Sequence, residues 1–196
     1  MILLPRAACR VPRAAYRRSA WKNGGGVTHE VTRVPSEGDF QWRLSVAEIA
    51  RSGPFSDFSG YSRIMVLLAG NGLSLRAPDG ISADLNVPGD LLQFDGATRM
   101  NCELRDGPCT DLNLMVADSV GPIFARVQSA QTSFAVQDSM QQTRIVFAVR
   151  DAVTLIDSNG NRRTLSEWDT AVCTKQDGEV ICSSDTAAAR ACIASF

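Results

Sequence analysis

The sequence lacks the features that mark membrane, nucleic-acid-binding and disulfide-bonded proteins. No apolar run reaches the roughly 18 residues that a membrane helix needs. The first residues also lack the apolar stretch of a secretory signal, so no such signal is expected. The formal net charge is −1, so there is no electrostatic reason to expect nucleic acid or an anionic membrane as a partner. The six cysteines show no CxxC spacing and are expected to be reduced thiols. These absences predict a cytoplasmic protein.

Helical periodicity is also scarce, and short alternating runs take its place. The segment DFQWRLSVAEI places Phe40, Trp42, Leu44 and Val46 on one strand face and polar residues on the other. Turn sequences such as PDG and DG separate similar runs about every 8–12 residues, which is typical of an all-β sandwich or barrel. At 196 residues the chain forms one large domain or two small fused ones.

An internal repeat becomes visible when the sequence is aligned with itself so that Met65 lies over Ile145. MVLLAGNGLSLRAPDG from Met65 then lies over IVFAVRDAVTLIDSNG, and Cys102 lies over Cys182. Identities are few, so chance resemblance between two β-hairpins is an alternative to duplication. The shared order of strands and turns predicts a duplicated jelly-roll-like barrel. We expect a larger N-terminal half, residues 1–120, that holds a pocket, and a smaller C-terminal half, residues 121–196, packed as one compact unit.

The segment WKNGGGVTHE contains three consecutive glycines and the chain's single histidine, His29. Lys22 precedes the glycines, whereas a phosphate-binding loop needs its lysine after the last glycine. The β-branched run that follows predicts a strand, not the helix of a dinucleotide-binding fold. The glycines therefore indicate either a tight turn that enters a strand or a binding loop. No nucleophile motif such as GxSxG accompanies His29, which favours a non-catalytic histidine.

Polar side chains on two predicted strands are candidates for a pocket floor. Arg43 and Ser45 share one face of WRLSVAEI, and Asp111 and Asn113 share one face of CTDLNLMV. Buried polar groups must find partners. The partners are either one another, in a network inside the barrel, or a small ligand that carries carboxylate and amide groups.

The loop GPFSDFSGYSR, between these two strands, carries three aromatic residues. Aromatic residues in such a loop either cover a barrel mouth or form an exposed patch, and we expect the cover. Arg63 at the end of the loop either closes the pocket or pairs with Asp57.

Part of the first repeat resembles the cupin family. LNVPGDLLQFDGATRMNCEL contains the Pro88-Gly89-Asp90 turn that leads one cupin strand into the next. Metal-binding cupins place histidines and a carboxylate on pocket-facing strands, whereas this chain has Arg99 to Cys102 at the histidine position and no second histidine. The resemblance implies an all-β cupin-type double-stranded β-helix, duplicated in one chain as a bicupin, with no metal and no other cofactor.

Four ordered motifs resemble the HutD/Ves family of small cupin-like proteins, which are associated with histidine utilisation and stress response. They are WKNGGGVT, WRLSVAEIARSGPFSDFSGYSR, LLAGNGLSL and LRDGPCTDLNLM, and they span roughly Arg13 to Met115. Past Met115 the resemblance is weak, because family members continue with basic residues where this chain has Val116, Ala117 and Asp118.

The family resemblance implies an accessory or regulatory protein that binds a small acidic metabolite, such as N-formylglutamate, in its N-terminal barrel. The resemblance also implies a set of ligand-binding residues, assigned by their positions in the matching motifs. They are Trp21, Lys22, Asn23, Gly25, Thr28, Arg43, Ser45, Phe55, Ser56, Arg63, Asp111 and Asn113.

Two alternative functions stay open beside a non-enzymatic binding protein. A cofactor-independent isomerase or hydrolase would use His29 with Glu30 or Glu48, or else Asp111, as acid or base. A protein-interaction module would use an exposed sheet edge or the aromatic loop, and a homodimer is compatible with it. The enzyme alternative is weakened if His29 points away from the cavity while the polar strand residues point into it.

Overall fold

The computed structural model describes residues 9–21, 24–136 and 142–196, and in these ranges nearly all of the regular secondary structure is β-strand. Short 3₁₀ helices span Arg13–Ala15 and Lys175–Asp177. Within the described ranges no helix is long and apolar enough to cross a membrane. The strands are β1 (Cys9–Val11), β2 (Arg17–Ala20), β3 (Gly26–Val34), β4 (Trp42–Ile49), β5 (Gly53–Pro54), β6 (Tyr61–Ala69), β7 (Leu73–Arg76), β8 (Ser82–Leu85), β9 (Leu91–Asp95), β10 (Asn101–Leu104), β11 (Cys109–Ala117), β12 (Phe124–Ser129), β13 (Phe134–Ala135), β14 (Thr143–Arg150), β15 (Val153–Asp157), β16 (Arg162–Leu165), β17 (Thr170–Thr174), β18 (Val180–Ser183) and β19 (Arg190–Ser195).

The first compact unit, Tyr16–Pro122, contains two antiparallel sheets. Six strands pair in the order β2-β3-β4-β11-β6-β9, and four pair in the order β5-β10-β7-β8. Both sheets contribute to one hydrophobic core, in which Ile49 and Met65 of the larger sheet cluster with Leu75 and Leu85 of the smaller one. The two sheets therefore face each other across this core, as in a sandwich or flattened barrel.

The second compact unit combines residues 9–15 with Ile123–Phe196. Its sheets have the orders β1-β17-β14-β19-β12 and β13-β18-β15-β16. Strand β1 joins this unit by pairing antiparallel with β17, so that Cys9 lies opposite Val172. Arg144 is buried, and its guanidinium donates to three backbone carbonyls of the same unit, those of Val136, Thr174 and Gly178.

The pairing order of six successive strands recurs in the two units. In the first, β6 pairs with β9 and β11, while β7 pairs with β8 and β10. In the second, β14 pairs with β17 and β19, while β15 pairs with β16 and β18. These are the strands that the alignment of Met65 with Ile145 brings together. The predicted all-β class is confirmed, and the sequence repeat corresponds to a repeat of strand pairing.

The Pro88-Gly89-Asp90 turn has a local structural role. The Asp90 carboxylate accepts hydrogen bonds from the backbone N–H groups of Asn86 and Val87, at 2.7 and 3.1 Å. A carboxylate that satisfies two turn donors fixes the path of the chain between β8 and β9. This turn therefore shapes the barrel and contributes no residue to the cavity described next.

Candidate functional site

The first unit encloses a cavity of about 450 Å³, a size typical of small-molecule sites. The cavity continues the interior of the barrel, since Arg63 shares the inward face of β6 with the core residues Met65 and Leu67. Its lining residues are Ser19, Ala20, Trp21, Thr28, Arg43, Ser45, Ala47, Ile49, Pro54, Phe55, Ser56, Phe58, Arg63, Asp111, Asn113 and Met115.

The predicted ligand-binding residues divide into three groups. Nine of the twelve line the cavity. Gly25 instead lines a neighbouring pocket of about 120 Å³, which shares Trp21 and Phe55 with the cavity. Lys22 and Asn23 lie outside the described residues. Their role in binding, like that of the other ten, stays a prediction.

Several lining residues were absent from the sequence prediction. Ala47 shares a strand face with Arg43 and Ser45, and Met115 shares one with Asp111 and Asn113, so the two-residue period of a strand contained the signal. Both are apolar and looked like ordinary core residues, which is why the sequence alone did not single them out.

Antiparallel register brings the polar residues of three strands together. In the sheet β4-β11-β6, Met115 of the central strand lies opposite Arg43 on one side and Arg63 on the other. Asn113 lies opposite Ser45, one inward-facing step along β11. Two arginines from different strands therefore lie at the same level of the cavity.

Both arginines are held among aromatic rings. The Arg63 guanidinium lies 4.8 Å from the Phe94 ring centroid and 5.4 Å from that of Phe58. The Arg43 guanidinium lies 4.9 Å from Phe40 and 5.4 Å from the same Phe58. Electron-rich ring faces attract cations and position them. Phe58 therefore contacts both positive groups and helps to hold them side by side.

The environment of the arginines leaves donor capacity unused. Arg63 is only 4% exposed, and burial lowers its pKa to about 10, although nearby Asp111 opposes the shift. It stays charged at neutral pH. Burial also lowers the pKa of Arg43. Neither the Nε of Arg43 nor that of Arg63 has a hydrogen-bond partner among the described residues. The alternative pairing of Arg63 with Asp57 is not formed, because Asp57 accepts from the backbone and hydroxyl of Ser59 instead.

Two acceptors line the same cavity. Asp111 and Asn113 are 1% and 8% exposed, and they lie two residues apart on the same face of β11. Within the described part of the chain, Asp111 Oδ2 and Asn113 Oδ1 have no partner. Burial raises the pKa of Asp111 to about 7, against the opposing influence of Arg63 and Asn113. The residues that line the cavity therefore include both unpaired donors and unpaired acceptors among the described ranges.

Trp21 forms a wall of the cavity, and a glycine makes its position possible. Trp21 Nε1 donates to Thr28 Oγ1 at 2.8 Å, and the Trp21 backbone N–H donates to the Gly26 carbonyl at 2.9 Å. A Cβ atom on Gly26 would lie 2.3 Å from the Glu48 carbonyl oxygen and 3.2 Å from the indole ring. The glycine run therefore allows close packing of the chain at the cavity wall.

The aromatic loop is fixed to the barrel at two points. Phe55 donates its backbone N–H to the Met100 carbonyl at 2.8 Å, and Phe58 donates to the Gly96 carbonyl at 2.9 Å. A Cβ on Gly96 would lie 2.3 Å from the Phe58 carbonyl oxygen, so only glycine allows this approach. Phe55 and Phe58 thus line the cavity instead of forming an outward patch.

His29 lies on the opposite face of β3 from the cavity-lining Thr28. Its Nε2 is 2.9 Å from Glu48 Oε1, in a pair that is open to solvent. His29 is therefore not positioned to transfer protons in the cavity. The predicted His29–Glu48 acid–base pair forms, but it lies outside the cavity lining.

No group of three or more histidine, cysteine, aspartate or glutamate side chains in the described ranges is placed to hold a metal ion. The five cysteines from Cys102 onward are buried and free. Burial raises the pKa of four of these thiols, Cys102, Cys173, Cys182 and Cys192, to about 12.

Sequence comparison identifies relatives with partial coverage. Over 104 residues the chain is 45% identical to an uncharacterized 21.2 kDa protein in the hutC 3′ region of Pseudomonas putida, covering 52% of this chain and 54% of that protein. Over 97 residues it is 35% identical to Protein Ves of Escherichia fergusonii, covering 48% and 50%. The chain thus spans about half the length of the curated relatives it matches.

Similar solved structures cover nearly the whole chain. A conserved protein of unknown function from Pseudomonas aeruginosa PAO1 has a TM-score of 0.85 at 29% identity, covering 95% of this chain and 97% of that one. HutD from Pseudomonas fluorescens SBW25, solved in a formate condition, has a TM-score of 0.78 at 31% identity, covering 96% and 97%. A cupin 2 conserved barrel domain protein from Leptotrichia buccalis, at 12% identity and a TM-score of 0.57, covers 87% and 88% and shares the fold alone.

These likenesses confirm the predicted cupin-type fold. The family model described as HutD matches residues 13–192, which extends well beyond the Arg13 to Met115 span on which the sequence motifs depend. Because that match covers most of the chain, the protein belongs to the HutD family.

Proposed function

We propose that this protein is a metal-independent binding protein for a small acidic metabolite, and that it acts as an accessory or regulatory component of histidine utilisation. N-formylglutamate is the type of ligand that we expect. The observation that carries the proposal is the pair of arginines in one cavity, each with an unpaired Nε donor. Guanidinium groups are well suited to bind carboxylates.

The charge of the cavity favours an anion. Arg43 and Arg63 supply two positive charges, and Asp111, with a pKa of about 7, supplies at most one negative charge. Trp21, Phe55 and Phe58 add apolar walls that would cover the carbon skeleton of a ligand. An anion that reaches both guanidiniums would replace the water that buried charges otherwise need.

Relatives support the pathway only indirectly. One similar protein is named for its position in a hutC 3′ region, and a similar solved structure is a HutD. Neither name states a ligand. Histidine utilisation is therefore our hypothesis for the pathway, and the cytoplasm stays the predicted compartment.

The alternative functions have less support. An isomerase or hydrolase would have to use Asp111, because His29 lies on the other face of its strand. An interaction module built on the aromatic loop would need Phe55 and Phe58 to face a partner, whereas both line the cavity.

Isothermal titration calorimetry with N-formylglutamate, glutamate and urocanate tests the proposal. We expect saturable binding of at least one of them. Arg43→Met and Arg63→Met should each weaken it about tenfold or more, because each removes a charge-assisted hydrogen bond. Arg99→Met, an exposed arginine of the same unit, is the matched control and should leave the affinity unchanged. Absence of heat with all three compounds at millimolar concentration would refute the acidic-metabolite proposal.

A further inference from the structure

We infer that the cavity selects an anion that also carries a hydrogen-bond donor, an N–H or O–H group, and that Asp111 and Asn113 are the residues that recognise this donor. The inference rests on the proposed function, namely that the cavity binds a small acidic metabolite. It goes further by naming a second functional group on the ligand and the two residues that discriminate for it.

The unpaired acceptor atoms of the cavity lining belong to two inward-facing positions of β11. Asp111 Oδ2 and Asn113 Oδ1 are acceptors that lack a partner within the described ranges, and both side chains are more than nine-tenths buried. Asp111 and Asn113 lie two residues apart on the same face of β11. Two acceptors in the cavity lining therefore call for donors on whatever fills the cavity.

These acceptors lie at other levels of the cavity than the two cations. The two arginines lie level with Met115 on β11, while Asn113 and Asp111 follow at successive inward-facing positions of the same strand. Such positions are about 7 Å apart on a strand. Donors of the protein thus concentrate at one level of the cavity and acceptors at the next levels. A ligand with a carboxylate at one point and an N–H or O–H a few bonds away matches that separation.

The buried acceptors are expected to discriminate against anions that carry no donor. An anion without a donor leaves both buried acceptors unpaired and places its own oxygens near the Asp111 carboxylate. Sites built to hydrogen-bond a ligand N–H or O–H reject analogues that lack it far more strongly than apolar pockets reject a missing methylene. We therefore expect the cavity to disfavour plain dicarboxylates by about tenfold or more.

Three probes of nearly equal size and charge separate the effect of the donor from the effects of size and net charge. 2-Hydroxyglutarate carries an O–H donor, 2-oxoglutarate carries an acceptor at the same carbon, and glutarate carries neither. Calorimetry on the 196-residue chain at pH 8, where Asp111 is mostly ionised, should rank 2-hydroxyglutarate about tenfold or more ahead of the other two.

Asp111→Asn tests which residue recognises the donor. Its amide can present N–H to a ligand, so the preference for 2-hydroxyglutarate over 2-oxoglutarate should fall below about threefold. Asp79→Asn, in an exposed turn of the same unit, is the matched control and should keep the full preference. Circular dichroism checks that each variant is folded. If Asp111→Asn is unfolded, the ranking of the three probes on the wild type alone tests donor selection.

The outcomes separate this inference from the proposed function. Equal binding of all three probes, or tighter binding of glutarate or 2-oxoglutarate, would overturn donor selection while leaving the acidic-metabolite proposal intact. An unchanged preference in folded Asp111→Asn would overturn the role of Asp111. If none of the three probes binds at millimolar concentration, the inference is overturned, whereas the proposed function is decided separately by the titrations with N-formylglutamate, glutamate and urocanate.

Discussion

Asp111 is expected to make the first unit less stable as the pH rises. Burial raises the pKa of Asp111 from an ordinary 3.8 to about 7 in the folded protein. A raised carboxyl pKa means that folding favours the protonated form, so its contribution to stability is complete below about pH 4 and is lost as the pH rises through about 7. The whole difference corresponds to about 4 kcal/mol.

The matched perturbation is Asp111→Asn, which keeps the shape of the protonated group and cannot ionise. Other carboxyl groups also titrate in this range, so the quantity to measure is the difference between the two proteins at each pH. From pH 4 to 8, the free energy of unfolding of the wild type should fall relative to the variant by about 4 kcal/mol, most of it below pH 7.

A tryptophan substitution makes this unit visible on its own. The chain has three tryptophans, of which Trp21 and Trp42 belong to the first unit and Trp168 to the second. In a Trp168→Phe background, tryptophan fluorescence during urea unfolding follows the first unit. Asp79→Asn serves as the control, and its curve should parallel the wild type. A wild-type minus Asp111→Asn difference that stays constant within about 1 kcal/mol would refute the assignment of a raised pKa to Asp111.

Three further predictions concern packing and the exclusion of His29 from the site. Gly26→Ala should lower the free energy of unfolding by about 2 kcal/mol or more, measured by urea titration, because the new Cβ would meet the Glu48 carbonyl oxygen; an unchanged midpoint would contradict the close approach. Arg144→Met should destabilise the second unit by about 3 kcal/mol, seen as a shift of the Trp168 fluorescence transition, because three backbone carbonyls lose a charged donor. His29→Gln should change the affinity for any acidic ligand less than about twofold in calorimetry, since the side chain pairs with Glu48 outside the cavity; a larger loss would reopen the enzyme hypothesis.

The strands and most residues that line the candidate cavity could be predicted from the sequence, because both depend on local patterns. Alternation along β4 separates Arg43 and Ser45 from Trp42 and Leu44, and the structure keeps this division. Both faces of that strand are largely buried, however, so hydrophobicity alone did not say which face lines the cavity. The polar face does line it, and this is the face whose Arg43 and Ser45 made it a candidate pocket floor in the sequence.

The repeat was visible in the sequence for a similar reason. Strand length, turn composition and spacing are local, and the series that begins near Met65 recurs from Ile145 onward. Whether the two series adopt the same strand order was not local, because it depended on which strands pair. The matching pairing orders of β6–β11 and β14–β19 supplied that information. Likewise, no local pattern predicted that β1, at the start of the described chain, would pair with β17, close to its other end.

By itself, then, the amino-acid sequence determined an all-β chain with two similar strand series, HutD-type motifs and a set of polar residues on inward strand faces. The tertiary structure alone decided that Arg43 and Arg63 lie opposite Met115 on its two sides. It also decided that Asp111 and Asn113 have unpaired acceptors within the described ranges, and that His29 lies outside the cavity. The physical reason is that side-chain alternation is encoded over two residues, whereas register is set by pairing between strands distant in sequence. Which charges share a cavity follows from register.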